Sequence, residues 1–199
     1  GASFDTEHPK KMKAPLGNEL ANAIAKEYLG EEYLDNNLQY ISELAISERN
    51  LFTVQKFIYD LFKDFRPGFP HLRIPLYKWH SIYTTNYDLV IEKAYQDVDK
   101  KQQELVVFTK NSERVQDKMN INNPVMYNKL HGSISEIYDE NLPLILTPDQ
   151  YIDHRNNRSR LFDRLEEACR EFPILFVGVS FADQDIRQTL KLLESTRDI

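Results

Sequence analysis

Cysteine is nearly missing from this chain: Cys169 is the single thiol in 199 residues. One thiol closes no intramolecular disulfide and supplies no four-cysteine zinc site. The scarcity fits a reducing compartment, so a cytoplasmic location is expected. Histidine is thin as well. His8, His71, His80, His131 and His154 show no HxxxH spacing and no cysteine neighbour at ligand distance in sequence, so no metal is expected. The longest apolar run, "ILFVGV" at 174–179, is far shorter than the roughly 20 residues of a membrane helix. No signal peptide precedes it, and no membrane partner is expected. Basic residues are not in excess either. With 25 Lys and Arg against 31 Asp and Glu, the formal charge is −6, which argues against direct nucleic-acid binding by this domain.

What is present reads as a globular α/β protein. Hydrophobic residues make up 41% and aromatics 12%, enough for one domain over 1–199 with a full core. The abrupt start at Gly1-Ala2-Ser3 and the charged helical end suggest a fragment of a larger protein. Leu16, Leu20, Ile24 and Tyr28 recur at helical spacing, with Pro15 near the start and Gly30 as the stop. Across 37–65, Leu38, Ile41, Leu44, Leu51, Val54, Ile58 and Leu61 repeat at three and four, which predicts one broken helix or two, a helical subdomain within the domain. After "RPGFP" the rhythm changes. "HSIYTTNYD" (80–88), "ELVVFTK" (104–110), "VMYNKLHG" (125–132), "LPLILTPDQY" (142–151) and "PILFVGVS" (173–180) read as strands. "LVIEKAY" (89–95), "RSRLFDRLEEACREF" (158–172) and "DQDIRQTLKLLES" (183–195) read as helices. A strand apolar at every position, as at 173–180, implies cover on both faces. The expected fold is therefore α/β, a Rossmann-like parallel sheet flanked by helices.

In such a fold ligands bind beyond the carboxyl ends of the strands, and four stretches of unusual composition fall there. Gly1-Ala2-Ser3, ahead of the first helix, suits close backbone approach to a phosphate. "IYTTNYD" runs from good strand formers into Asn86 and Asp88. Asn86 offers both a donor and an acceptor to a pocket, while Asp88 suits helix capping as well as ligand contact. In "KLHGSI", His131 ends a strand with an imidazole suited to general-base work, and Gly132 lets the backbone turn sharply beside it. In "LFVGVSFADQDIR", Gly178 and Ser180 permit backbone approach before Asp183 or Asp185 begins a helix. Each stretch alone also reads as an ordinary turn, cap, structural histidine or strand-to-helix loop.

Taken in order, "YTTNYD", "KLHGSI" and "VGVSFADQDIR" resemble the sirtuin-type NAD-binding fold, in particular the bacterial sirtuin-like branch found in anti-phage defence proteins. The resemblance covers nearly the whole chain. It implies that NAD is the substrate, with Gly1, Ala2 and Ser3 at its pyrophosphate, and that a strand before Gly1 completes that loop. Asn86 and Asp88 would stand around the nicotinamide ribose, with Thr85 where many sirtuins have Gln. His131, followed by Gly132, would be the catalytic histidine, and Gly178 and Ser180 would contact the adenosine side. Protein-deacylating sirtuins carry a four-cysteine zinc module, absent here, and the helical stretch 37–65 stands in its place. Their Gly-Ile-Pro-Asp-Phe-Arg stretch is replaced by "KAPLGNEL". Water rather than an acyl-lysine peptide is then the implied acceptor. The expected protein is a cytoplasmic NAD+ glycohydrolase that uses no metal, a homo-oligomer fused to or associated with a sensing module in phage defence. A noncatalytic NAD or ADP-ribose sensor, and a deacylase or ADP-ribosyl transferase, are the alternatives.

Overall fold

Leu20, Ala21, Ile24 and Ala25 lie on one face of helix α1 (Gly17–Tyr28) and are all buried, as the spacing predicts. In this computed structural model, which describes residues 6–153, 155–179, 181 and 183–196, the stretch after it forms two helices, α2 (Leu38–Glu48) and α3 (Leu51–Phe62). Side-chain caps decide the break. Asn37 accepts from Tyr40 N at 2.9 Å and Asn50 from Thr53 N at 2.8 Å, so Asn50 restarts the helix that Arg49 ends. Ile41, Ala45, Val54, Ile58 and Phe62 pack with α1 and with Val90, Ile134, Leu144 and Leu146 in one cluster. The helical stretch thus shares its core with the rest of the chain.

The remaining elements are α4 (Phe69–Arg73), β1 (Ser81–Thr84), α5 (Val90–Asp97), β2 (Glu104–Phe108), α6 (Val115–Lys118), β3 (Pro124–Lys129), α7 (Pro148–Asp153), α8 (Arg155–Glu171) and α9 (Gln184–Thr196). The strands form a parallel sheet in the order β1-β3-β2, with Thr84 opposite Lys129 and Phe108 opposite Asn128. Consecutive residues of central β3 point to opposite faces. Asn128 meets Arg164 of α8 at 3.4 Å, and Lys129 meets Glu92 of α5 at 2.8 Å. Leu161, Phe162, Leu165 and Cys169 of α8 close one face over Val106, Phe108 and Leu130. The architecture is a Rossmann-like α/β sheet flanked by helices. Among the described residues, no helix is long and apolar enough to cross a membrane.

Two predicted strands are not strands. Residues 142–147 form a buried loop, with Leu142, Leu144, Ile145 and Leu146 all within the core. Their backbone is satisfied without a ladder: Leu144 N donates to Gln55 Oε1 at 2.7 Å, and Leu146 N and Thr147 N to Gln150 Oε1 at 2.9 and 3.0 Å. Side-chain acceptors replace a neighbouring strand, which no hydrophobicity pattern discloses. The run 173–179 also carries no strand. Leu175 and Val177 are 68% and 65% exposed, against the expected cover on both faces. Apolar side chains do not make a strand without a partner edge, and none of the described strands pairs with this run.

Candidate functional site

The site is set by two neighbouring parallel strands that end at the same level. Leu130 N donates to Thr84 O at 2.9 Å, carrying the β1–β3 pairing one step past the strands. Thr85 to Asp88 and His131 therefore leave the sheet at one carboxyl edge. Asn86 N donates to Thr84 Oγ1 at 3.0 Å, which turns the chain off the strand. The Asn86 side-chain amide is half-buried and has no hydrogen-bond partner among the described residues. Tyr87 anchors the same loop, its hydroxyl donating to Ile145 O at 2.6 Å, and burial pushes that phenol's pKa well up. Asp88 accepts from Val90 N at 2.8 Å and so holds the start of α5. From below, buried Lys129 donates to the carbonyls of Tyr87 and Asp88 and to Glu92 Oε1.

His131 sits at the centre, 2% exposed. Its Nε2 lies 2.8 Å from Asp185 Oδ2, itself 5% exposed. Its Nδ1 faces Asp183 Oδ2 at 3.8 Å, beyond hydrogen-bond reach. Tyr151 of α7 packs edge-on against the imidazole at 5.2 Å and donates its hydroxyl to Asp183 Oδ2 at 3.2 Å. The other oxygen of Asp183 accepts from the Asp185 and Ile186 amides at 3.0 and 3.2 Å, making Asp183 the N-cap of α9. The His131 carbonyl accepts from Ile145 N at 3.0 Å. Both the ring and the backbone of this residue are therefore fixed.

Gly132 is required where it stands. Its φ of +93° is a conformation that L side chains rarely adopt, and a Cβ there would meet Arg158 Nη2 at 3.1 Å and Pro143 O at 3.2 Å. Arg158 is fully buried and cannot retreat, since Nε donates to Thr109 O and Nη2 to Pro143 O. Gly132→Ala is expected to cost roughly 1–3 kcal/mol, read as a melting temperature lowered by about 2–4 °C per kcal/mol.

His131, Asp183 and Asp185 bring one nitrogen and two carboxylate oxygens within 4.8 Å of one another, a donor set suited to a divalent cation. The two carboxylates face different ring nitrogens, however, and the 2.8 Å contact is a hydrogen bond. The geometry is that of a histidine held by an acid.

Of the residues expected from sequence, Thr85, Asn86, Asp88, His131 and Gly132 fall at one edge of the sheet. Gly178 is exposed with φ +63° on the unpaired run. Gly1, Ala2, Ser3 and Ser180 lie outside the described residues, as does His154. The residues missed are Asp185, Tyr151 and Lys129. An Asp-x-Asp pair at a helix start was visible, but capping accounts for only Asp183. The surface hollows beside Ser135–Asn141 and Val115–Asn120 touch none of these groups. A family model described as "SIR2-like domain" matches residues 80–198, a span that contains all of these residues except Gly1, Ala2 and Ser3. No curated protein matches the chain.

Proposed function

The chain belongs to the SIR2-like domain family, and on that premise we propose that it is an NAD+ glycohydrolase, splitting the nicotinamide–ribose bond to give nicotinamide and ADP-ribose. Domains of this family use NAD as a substrate; the hydrolytic outcome is our own reading. The observation that supports it most is that His131 and Asn86, whose amide has no hydrogen-bond partner among the described residues, both follow the carboxyl ends of adjacent parallel strands.

The chemistry asks little acid catalysis of the protein. Nicotinamide is a cationic leaving group: as its bond to ribose C1′ breaks, the electron pair returns to the ring and neutralises it. Charge develops on the ribose in an oxocarbenium-like state, and a water oxygen completes the bond to C1′ while losing its proton. His131 is assigned the role of base toward that water or a ribose hydroxyl, and Asn86 that of positioning ribose or water. Asp88 would support the pocket's polar edge through its hold on α5. Thr85, Gly132, Gly178, Ser180 and Gly1-Ala2-Ser3 are proposed to line the NAD itself.

His131 is only 2% exposed, so NAD reaches the ring only once the groups packed around it move aside. A closed resting site suits an effector kept silent until a fused or associated sensing module releases it, since uncontrolled loss of NAD is lethal to the host cell. We extend the proposal accordingly to a cytoplasmic, homo-oligomeric effector of anti-phage defence. The test is nicotinamide release from NAD by the full-length protein, followed by chromatography. Release with ADP-ribose as co-product is the expected result. An NAD-dependent rise in melting temperature without release, under every triggering condition, would instead make the domain a sensor.

A further inference from the structure

We propose that Tyr87 is a positioning residue of the site: its hydroxyl clasps the backbone of Ile145, and through Ile145 it sets Asn86 at a fixed place relative to His131. The catalytic consequence rests on the NAD-cleaving reading, and the clasp itself does not. Ile145 meets both halves of the site. Its carbonyl accepts from the Tyr87 hydroxyl at 2.6 Å, and its amide donates to the His131 carbonyl at 3.0 Å. A third bond, from Leu130 N to Thr84 O at 2.9 Å, joins the two strand ends. The covalent chain and these hydrogen bonds close a circuit that runs from Thr84 to Tyr87, across to Ile145, on to His131 and back through Leu130. Asn86 stands on one arm of it and His131 on the other.

A clasp positions a group only if its anchor does not move. The anchor is held on both sides of Ile145. Pro143 O accepts from Arg158 Nη2 at 2.9 Å, and Leu144 N donates to Gln55 Oε1 at 2.7 Å. Leu146 N and Thr147 N donate to Gln150 Oε1 at 2.9 and 3.0 Å. Gln55 belongs to α3, so the helical stretch supplies part of the anchor. Ile145 is 1% exposed, so water does not stand in for the phenol hydroxyl at its carbonyl. The Tyr87 carbonyl is fixed separately, by Ile134 N at 2.9 Å and by Lys129. Those contacts hold the loop to its own side of the site, and the hydroxyl carries the tie to residues 142–147. The Tyr87 ring packs against the main hydrophobic cluster. Phenylalanine keeps that packing and removes the bond.

The test compares wild type with Tyr87→Phe, both as full-length protein, in two arms. In the first, amide hydrogen exchange is followed by NMR. The exchange rate of the Ile145 amide relative to that of Leu130 should rise about tenfold or more in Tyr87→Phe. A smaller rise overturns the clasp, whether or not the protein cleaves NAD. In the second arm, kcat for nicotinamide release per folded protein should fall about tenfold or more, since a misplacement on the order of 1 Å is enough for such a loss. KM should change less than about threefold, because the groups that contact NAD are still present. A merely structural bond would lower the melting temperature and leave kcat per folded protein alone. A folded variant with a smaller fall in kcat, or with its loss in KM, therefore overturns the positioning role. Should Tyr87→Phe fail to fold, the wild-type Ile145 amide decides: exchange as slow as that of Leu130 is expected, and faster exchange overturns the clasp. A wild type that releases no nicotinamide under any trigger rejects the NADase reading and leaves the exchange arm as the judge of the clasp.

Discussion

His131→Ala is expected to lower nicotinamide release by about 10²–10⁴-fold per folded protein, the usual worth of a general base, with the folded fraction checked by thermal melt. The loss is large because nothing nearby substitutes for the ring. The Asp183 carboxylate is committed to the helix start and to Tyr151, and Tyr151 stays protonated, since burial and the neighbouring Tyr87 and Asp183 push its phenol pKa far up. Asn86→Ala should match it in direction and differ in kind. The half-buried Asn86 amide has no partner among the described residues, so its removal leaves nothing unsatisfied and stability should be unaffected. Its loss should appear in kcat more than in KM if it orients the reacting ribose rather than gripping it. Either variant, folded and fully active, would remove that residue from the mechanism.

Some of this was legible in the sequence because it depends on near neighbours. Helices α1, α2, α3, α5, α8 and α9 follow from 3.6-residue periodicity and cap residues, and the placing of Asn86 and His131 two residues past the ends of β1 and β3 follows, to within those two residues, from polar groups interrupting apolar runs. What failed depends on distant partners. Residues 142–147 have the composition of a strand, yet Gln55, far earlier in the chain, and Gln150 supply the acceptors for the Leu144, Leu146 and Thr147 amides. The run 173–179 has a strand's side chains but no paired edge among the described residues. Asp185 looked like one of two candidate caps. Only the fold, by bringing it to a histidine 54 positions earlier, separates its role from that of Asp183.

Lys129→Met should produce the largest stability loss, about 3–5 kcal/mol, the usual consequence of leaving one member of a buried ion pair alone. Lys129 is wholly buried on central β3, and its ammonium serves Glu92 and the carbonyls of Tyr87 and Asp88. A methionine fills the space and satisfies none of the three. The loss should depend on pH in a direction set by Glu92. Burial raises the Glu92 pKa above its ordinary 4.5, against the opposing pull of Lys129. Without Lys129 that pull is gone, and the folded pKa climbs further. A carboxyl with a raised folded pKa favours folding below its unfolded pKa, and that contribution is lost as pH rises through the folded value. Lys129→Met should therefore be least destabilised near pH 4.5 and progressively worse toward neutrality, in thermal melts taken across that range. Adding Glu92→Gln should flatten the profile, because no buried charge then remains to be formed. The same carbonyl contacts tie the Asn86 loop to the strand that leads to His131, so a folded Lys129→Met protein at mildly acid pH should also cleave NAD more slowly than wild type. A variant whose stability loss is the same at every pH would show that packing, and not the buried pair, is what Lys129 contributes.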